Sequence, residues 1–180
     1  MPERELTALV ADDEELVREF LVEMLSAIPN LRIDTASNGN EAYTKIKTRK
    51  PDILYTDVLM GGMNGDALLE SLVAEGIKIP TFVCSGSFQE DVGARALFYA
   101  TRMYTDEQIT KLGIDIQPDT EAQKRFILQK EDEQRVAQLQ VAQNRYIPYD
   151  FGFPALSKPV GMDSLLDRTK TVINMLYEHS

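Results

Sequence analysis

The chain has 180 residues, 19 of them basic and 29 acidic, which gives a formal net charge of −10 with the histidine neutral. This length fits one domain, or one domain with an addition, and 43% hydrophobic with 27% charged residues predicts a packed core rather than general disorder. The excess of carboxylates argues against direct binding to nucleic acid, because phosphate contacts require clustered Lys and Arg.

Short apolar runs alternate with amphipathic stretches along most of the chain, which is typical of strands and helices packed around a parallel sheet. The predicted strands are Leu6–Ala11, Leu31–Ala36, Ile53–Thr56, Thr81–Cys84 and Ala155–Ser157. A helix is predicted after each strand. This alternation predicts an α/β fold with a doubly wound, five-stranded parallel sheet.

Capping and turn residues mark the predicted ends of the helices. Asp13 is expected to cap the first helix and Asp163 the last, while Gly76 occupies the usual C-terminal glycine position of the third. The apolar side of the first helix is predicted to carry Leu16, Val17, Phe20, Leu21, Met24 and Leu25. We expect that side to face the core.

Residues 88–154 interrupt this pattern between the fourth and fifth strands and contain every glutamine of the chain. The predicted helices here are Gln89–Tyr104 as a lengthened fourth helix, a short one from the capping box Thr105-Asp106-Glu107-Gln108 to Gly113, and a longer polar one from Pro118 to Arg145. We interpret 88–154 as a mainly helical insertion within a single domain, 1–180.

Two roles are open for this insertion. The apolar stripe of its longest predicted helix is too narrow to form a core of its own, so that helix must lie on the body or pair with another chain. The insertion is therefore either an output or homodimerisation element, or a helical hairpin that only caps the domain.

Polar residues of compatible chemistry follow the predicted strands at the edge where ligands of such sheets bind. Asp12 and Asp13 follow the first strand, Asp57 the third, Ser85 the fourth and Lys158 the fifth. Three converging carboxylates repel one another and favour a cation, and hard oxygen ligands with room for waters suit Mg²⁺. Together with a hydroxyl and an ammonium donor, they are the groups that phosphoryl transfer to a carboxylate requires.

Each of these residues has an ordinary structural explanation when it is taken alone. An isolated Asp-Asp pair is more commonly a helix cap with a first-turn acid, and Ser85 and Lys158 would be a strand-end hydroxyl and a surface lysine. Their occurrence in register at successive strand ends favours a site.

The motifs around these residues resemble those of bacterial two-component response-regulator receiver domains. Val10-Ala11-Asp12-Asp13-Glu14 resembles the acidic pair that ends the first strand, and Asp57-Val58-Leu59-Met60-Gly61-Gly62-Met63-Asn64-Gly65 resembles the phosphoacceptor motif. Ile79-Pro80 through Ser85-Gly86 and Lys158-Pro159 resemble the ends of the fourth and fifth strands. The resemblance covers about residues 5–87 and 155–177, and within it the chain is similar to a chemotaxis-type, stand-alone receiver.

The resemblance implies a flavodoxin-like receiver with strand order 2-1-3-4-5 and a role in two-component signal transduction. Asp57 would accept a phosphoryl group from a histidine kinase or phosphotransfer protein. Asp12, Asp13 and Asp57, with the backbone carbonyl of Leu59, would hold Mg²⁺. Ser85 and Lys158 would bind the phosphoryl group and relay its presence to a downstream protein partner.

Two positions depart from the family pattern. Gly61 stands where the family usually has proline, so we expect a looser loop after Asp57 and an effect on rate. Ala155, three residues before Lys158, stands where receivers that use an aromatic switch have Tyr or Phe. Phe151 or Phe153 could substitute for that ring.

Two other classes of protein remain as alternatives. Phosphatases of the haloacid-dehalogenase type use a second Asp two residues after the nucleophile as a general acid, but that position here is Leu59. A pseudo-receiver would keep the fold and act as an interaction or dimerisation module without phosphorylation. Because all five site positions are filled, we favour the active receiver, which assists only its own phosphorylation and dephosphorylation and is not otherwise an enzyme.

The remaining features bear on location and chemistry. Cys84, the single cysteine, excludes an internal disulfide and is expected in the core. The first residues are charged where a signal peptide would be apolar, and no apolar run reaches about 18 residues, so a cytoplasmic protein without a membrane span is predicted. His179, the only histidine, lies at the C-terminal tail, so the chain is expected to receive phosphate rather than supply it.

Overall fold

The computed structural model describes residues 4–86, 91–112, 155–157 and 162–178. Within these ranges the strands are β1 (Leu6–Ala11), β2 (Leu31–Ala36), β3 (Ile53–Asp57), β4 (Thr81–Ser85) and β5 (Ala155–Ser157). The helices are α1 (Glu15–Leu25), α2 (Gly39–Thr48), α3 (Gly65–Ala74), α4 (Asp91–Arg102), α5 (Asp106–Leu112) and α6 (Met162–Glu178). Three strands match their predicted ends, and β3 and β4 each extend one residue further.

The strands form one parallel sheet in the order β2-β1-β3-β4-β5. In its register Ala11 pairs with Thr56, and Asp57 pairs with Cys84. The carboxyl ends of β1, β3 and β4 therefore meet at one edge. The predicted doubly wound α/β fold is confirmed, as is the strand order that the family resemblance implied.

Helices cover both faces of the sheet because alternate strand residues point in opposite directions. Leu54 packs on one face with α2, α3 and α4, while its neighbour Tyr55 packs on the other with α1 and α6. The ring of Tyr55 stacks on Phe82, with centroids 5.2 Å apart, and its hydroxyl shares a 2.6 Å hydrogen bond with Thr169 of α6. Cys84 is buried on this face, as predicted.

The predictions for α1 are partly wrong. Glu14, not Asp13, occupies the N-cap position, and no side chain caps the helix. Leu16 is 79% exposed and Phe20 is 44% exposed, although both were predicted to face the core. The helix buries a narrower stripe than its apolar spacing suggested, formed by Leu21, Met24 and Leu25. Asp13 is not used as a cap because its carboxylate reaches the loop after β3.

Other helix ends agree more closely with the sequence. Thr105 and Gln108 form the predicted capping box at the start of α5. Gly76 follows α3 with a φ of +69°, as expected of a C-terminal glycine. Helix α6 begins at Met162, so Asp163 lies in its first turn and is not the cap that the sequence suggested.

Some predicted features lie outside the described residues. They are the Lys158-Pro159 motif, Gly113, the helix from Pro118 to Arg145, the rings of Phe151 and Phe153, and His179. Among the described helices, none has the length and apolar character needed to cross a membrane.

Candidate functional site

Three aspartates come together where β1 and β3 end. Asp12 and Asp13 directly follow β1, and Asp57 is the last residue of β3, the neighbouring strand. One carboxylate oxygen from each lies within 4.8 Å of the others. Asp12 and Asp57 are buried, at 1% and 7% exposure, while Asp13 is exposed. The predicted convergence of these residues is confirmed.

Local hydrogen bonds orient the two buried carboxylates. Oδ1 of Asp12 accepts a hydrogen bond of 3.0 Å from the amide of Glu14, and Arg18 donates to the Asp12 carbonyl at 2.8 Å. Oδ1 of Asp57 accepts from the amide of Val58 at 2.7 Å. These bonds fix the side chains near the end of the sheet, where their charges repel one another.

The donor set fits a hard divalent cation. Three carboxylates supply oxygen ligands within 4.8 Å of one another, and the exposed side of the cluster at Asp13 leaves access for water. A cation there offsets the repulsion between the two buried charges. Mg²⁺, which keeps several waters, matches this arrangement of few protein ligands at the surface.

The loop between β3 and α3 is held at several points. Asn64 accepts a hydrogen bond from the amide of Met60 at 3.0 Å, and the amide of Gly65 donates to Val58 O at 2.9 Å. The amide of Gly39, at the start of α2, donates to Met63 O at 3.1 Å. Because Asn64 uses its side chain in this way, it forms no side-chain cap on α3.

Two glycines permit the close approach of backbone in this region. A Cβ at Gly65 would lie 2.0 Å from the carbonyl oxygen of Asp57, and a Cβ at Gly39 would lie 2.2 Å from that of Met63. Distances this short exclude a side chain without movement of the backbone. These two contacts brace the loop that carries Leu59 against β3 and α2.

The structure describes some of the remaining predicted site residues but not all of them. Ser85 ends β4, beside β3, and is buried at 5% exposure. Leu59 lies in the β3–α3 loop with a half-exposed side chain, and the role of its carbonyl stays a prediction. Lys158 lies outside the described residues, so its meeting with Asp57 stays a prediction. Ala155 is in β5, paired with Val83.

Sequence reasoning missed several residues that support the site. The guanidinium of Arg18 in α1 donates to the carbonyl of Asp12, and the side chain of Asn64 accepts from an amide of its own loop. The amide of Gly61 donates to Asp13 at 3.2 Å. Asn64 carried a signal, since it belongs to the motif that follows Asp57. The backbone contacts carried none, because an amide donor is present at almost every position.

Comparisons with known proteins agree with this fold. The model of the response regulator receiver domain matches residues 8–111. The protein-glutamate methylesterase/protein-glutamine glutaminase of Halalkalibacterium halodurans is 32% identical over 129 residues, which are 71% of this chain and 36% of that protein. The chain spans about a third of the length of the curated relatives it matches.

Solved structures of receiver domains share the architecture. The signal receiver domain of an HD-domain-containing protein from Pseudomonas fluorescens Pf-5 matches with a TM-score of 0.64 at 14% identity, over 99% of this chain and 94% of that one. The receiver domain of Francisella response regulator 1452 matches with a TM-score of 0.54 at 19% identity, over 97% and 98%. These two matches support the fold alone. The chain belongs to the response regulator receiver domain family, because the family model covers more than half of it.

Proposed function

We propose that this receiver domain is a phosphoacceptor response regulator in which Asp57 takes a phosphoryl group from a histidine kinase or phosphotransfer protein. The observation that carries the proposal is the cluster of Asp12, Asp13 and Asp57, whose oxygens lie within 4.8 Å of one another at the carboxyl edge of the sheet. Ser85 ends the next strand at the same edge.

Asp57 is suited to act as the nucleophile. Its carboxylate is buried and oriented by the amide of Val58, so it needs little reorganisation before attack. In the transfer, a P–O bond to Asp57 forms as the P–N bond of a donor phosphohistidine breaks, and the imidazole leaves. The hydroxyl of Ser85 donates to an oxygen of the transferred group, and Lys158 pairs with another.

Asp12, Asp13 and Asp57, with the carbonyl of Leu59, are the proposed ligands of Mg²⁺. A bound Mg²⁺ would neutralise charge that develops on the phosphoryl oxygens. Asp12 is held for this task by its bonds to Glu14 and Arg18, and the loop contacts at Gly65 and Gly39 place Leu59.

Exposed apolar side chains on α1 and in the loop after Asp57 are the proposed contact for the phosphodonor protein. Leu16 and Phe20 lie one helical turn apart on α1, and Leu59 is half exposed in the loop after Asp57. Apolar side chains beside a buried nucleophile let a partner exclude water from the transfer. The phosphorylated form would then contact a downstream protein.

The residues between α5 and β5 are proposed to serve output or homodimerisation, as an addition to a single receiver domain. This is supported by α4 and α5, which lie between β4 and β5 in the chain and already pack against the sheet there. A receiver needs no further helix at this point, so we infer that 113–154 serve another purpose.

Phosphorylation is tested by incubation with Mg²⁺ and acetyl phosphate, followed by measurement of intact mass. We expect the mass of one phosphoryl group to be added to the wild type, and not to Asp57→Asn or to a sample with EDTA. Asp34→Asn is the matched control, because Asp34 is an exposed carboxylate on β2 that pairs with Lys45 and should leave the adduct intact. If the wild type gains no mass, the pseudo-receiver becomes the better interpretation.

A further inference from the structure

The amide of Gly61 makes a contact that the family's usual proline is unable to make. This N–H donates to Oδ2 of Asp13 at 3.2 Å. Proline has no amide hydrogen, so a receiver with proline here lacks this bond. The departure noted in the sequence therefore changes a hydrogen bond to a carboxylate of the site, in addition to the stiffness of the loop.

Glycine itself is not needed at this position for steric reasons. Gly61 is not among the glycines with a positive φ, and no atom lies within 4 Å of the place where its Cβ would stand. Hydrogen bonds on both sides fix the position of the Gly61 amide. The amide of Met60 donates to the side chain of Asn64, and the carbonyl of Met63 accepts from the amide of Gly39. What the position contributes is a hydrogen-bond donor held in place.

Asp13 needs such a donor more than the other two aspartates. It is the exposed member of the cluster, and the buried charges of Asp12 and Asp57 repel it toward solvent. A hydrogen bond to Oδ2 holds the carboxylate near them, within reach of a shared cation. Carboxylate ligands of metals are commonly held by hydrogen bonds of this kind, and the loss of such a partner weakens metal binding.

We propose that Gly61 is a positioning residue for the metal ligand Asp13, and that it acts through its backbone N–H. The proposal rests on the proposed function, since it concerns the same Mg²⁺ site. It predicts that any residue with an amide hydrogen that fits the open space is tolerated, and that proline is not equivalent.

The test is a calorimetric titration of the full chain with MgCl₂ alone, without a phosphodonor. Gly61→Ala keeps the N–H, and we expect its Kd to lie within about twofold of the wild type. Gly61→Pro removes the N–H, and we expect Mg²⁺ to bind about tenfold more weakly. In an Asp13→Ala background, which lacks the acceptor, the same proline should cause no further loss. Equal or tighter binding by Gly61→Pro would overturn the proposal.

A general distortion of the loop is separated from this role by two further measurements. The free energy of unfolding without Mg²⁺ should be similar for the alanine and proline variants. In NMR spectra of the metal-free protein, Asp13→Ala should shift the amide proton of Gly61, which needs no folded proline variant. If that proton does not move, the hydrogen bond is absent and the proposal fails.

Failure of the proposed function gives a different result. A wild type that binds no Mg²⁺ in the titration removes the metal site, and the role of Gly61 with it. A wild type that binds Mg²⁺ with the same affinity as Gly61→Pro leaves the site intact and rejects only the role of Gly61.

Discussion

Gly65 is the residue on which the geometry of the loop after Asp57 most directly depends. Its amide bonds to Val58, and a Cβ there would lie 2.0 Å from the carbonyl oxygen of Asp57. We expect Gly65→Ala to lower the free energy of unfolding by about 2–4 kcal/mol, because backbone on both sides must move. Urea denaturation measures this loss.

Gly61→Ala is the matched control for that substitution. It makes the same change four residues away, where the new methyl group meets open space. Its effect on the free energy of unfolding should stay within about 0.5 kcal/mol. If both variants lose the same stability, the close contact at Asp57 is not the cause, and the reduced flexibility of the unfolded chain is not the cause either, because that effect stabilises the folded state.

At the residue scale, the sequence predicted which side chains meet but not how each is held. Asp12, Asp13 and Asp57 could be placed together because parallel strands end at one edge, whatever the details of packing. The cap role of Asp13 was wrong, since an Asp at the start of a helix is able to bond either to the helix amides or to a neighbouring loop. That choice depends on tertiary contacts, which one local sequence does not contain.

Helix α5 is a single short element whose start is set by a reciprocal pair of side-chain bonds. The amide of Thr105 donates to Oε1 of Gln108 at 2.9 Å, and the amide of Gln108 donates to Oγ1 of Thr105 at 3.2 Å. We expect Thr105→Ala to cost about 1 kcal/mol and to increase hydrogen exchange in the first turn of α5. Thr110→Ala is the control, because its hydroxyl donates to the carbonyl of Asp106 within the same helix. Equal exchange in the two variants would contradict the capping role.

An ionic cluster joins α3 to α4 on the face of the sheet that also carries α2. Arg95 of α4 lies 3.1 Å from a carboxylate oxygen of Asp66 and 3.6 Å from one of Glu70. Tyr99 also donates its hydroxyl hydrogen to Glu70. Asp66 is buried, at 3% exposure, and its desolvation raises the pKa of the carboxyl above the ordinary 3.8, while the charge of Arg95 opposes the rise. Arg95 therefore makes the charged form of Asp66 tolerable at neutral pH.

This arrangement predicts a pH-dependent cost for the loss of Arg95. Because the pKa of Asp66 is raised on folding, the native state holds the proton more tightly than the unfolded chain does, and stability falls as the pH rises through that pKa. Arg95→Met raises the pKa further, so we expect it to lower the free energy of unfolding by about 1–2 kcal/mol at pH 7 and by less near pH 4. Urea denaturation at the two pH values measures the difference.

The double variant Arg95→Met, Asp66→Asn supplies the control for the pH dependence. It has no carboxylate at position 66, so its loss of stability relative to the wild type should change less between the two pH values than that of Arg95→Met alone. A pH dependence of the same size in both variants would show that Asp66 is not the group responsible.

At the scale of elements, the sequence predicted strands better than helix faces. Each predicted strand is present with an end no more than one residue away, because short apolar runs between turn residues leave few alternatives. The sequence overestimated how much of α1 is buried, since Leu16 and Phe20 fit the apolar spacing but are exposed to solvent. How wide a stripe a helix buries depends on its neighbours, which its own periodicity does not specify.

The fold as a whole draws its core from both halves of the chain, including residues that the sequence had grouped with the insertion. Six of these residues are buried: Ala96, Leu97, Tyr99, Ala100, Met103 and Tyr104. The hydroxyl of Tyr104 donates to Thr81 O of β4 at 2.8 Å. Leu112 of α5 packs against the core clusters of both faces, and Lys111 pairs with Glu178 of α6. Helices α4 and α5 are thus structural parts of the receiver domain.

This placement predicts different outcomes for two deletions in the same region. Replacement of 88–154 by a short linker removes six buried side chains of α4 and the residues directly after it. The hydrophobic stabilisation lost with them exceeds the marginal stability of a domain this size. We expect that variant not to fold. Replacement of 113–154 alone keeps those side chains, and we expect a cooperative thermal transition and a phosphoryl adduct on Asp57 with acetyl phosphate. Circular dichroism and intact mass measure the two properties.

The shorter deletion also tests the proposed role of the segment in homodimerisation. If 113–154 joins two copies of the chain, the full protein should show a larger mass by light scattering than the 113–154 deletion, at least after treatment with acetyl phosphate and Mg²⁺. Asp57→Asn in the full chain separates assembly that requires phosphorylation from assembly that does not. Equal masses for the full chain and the deletion under both conditions would reject dimerisation through this segment, while the folding of the deletion would still establish that the receiver domain is complete without it.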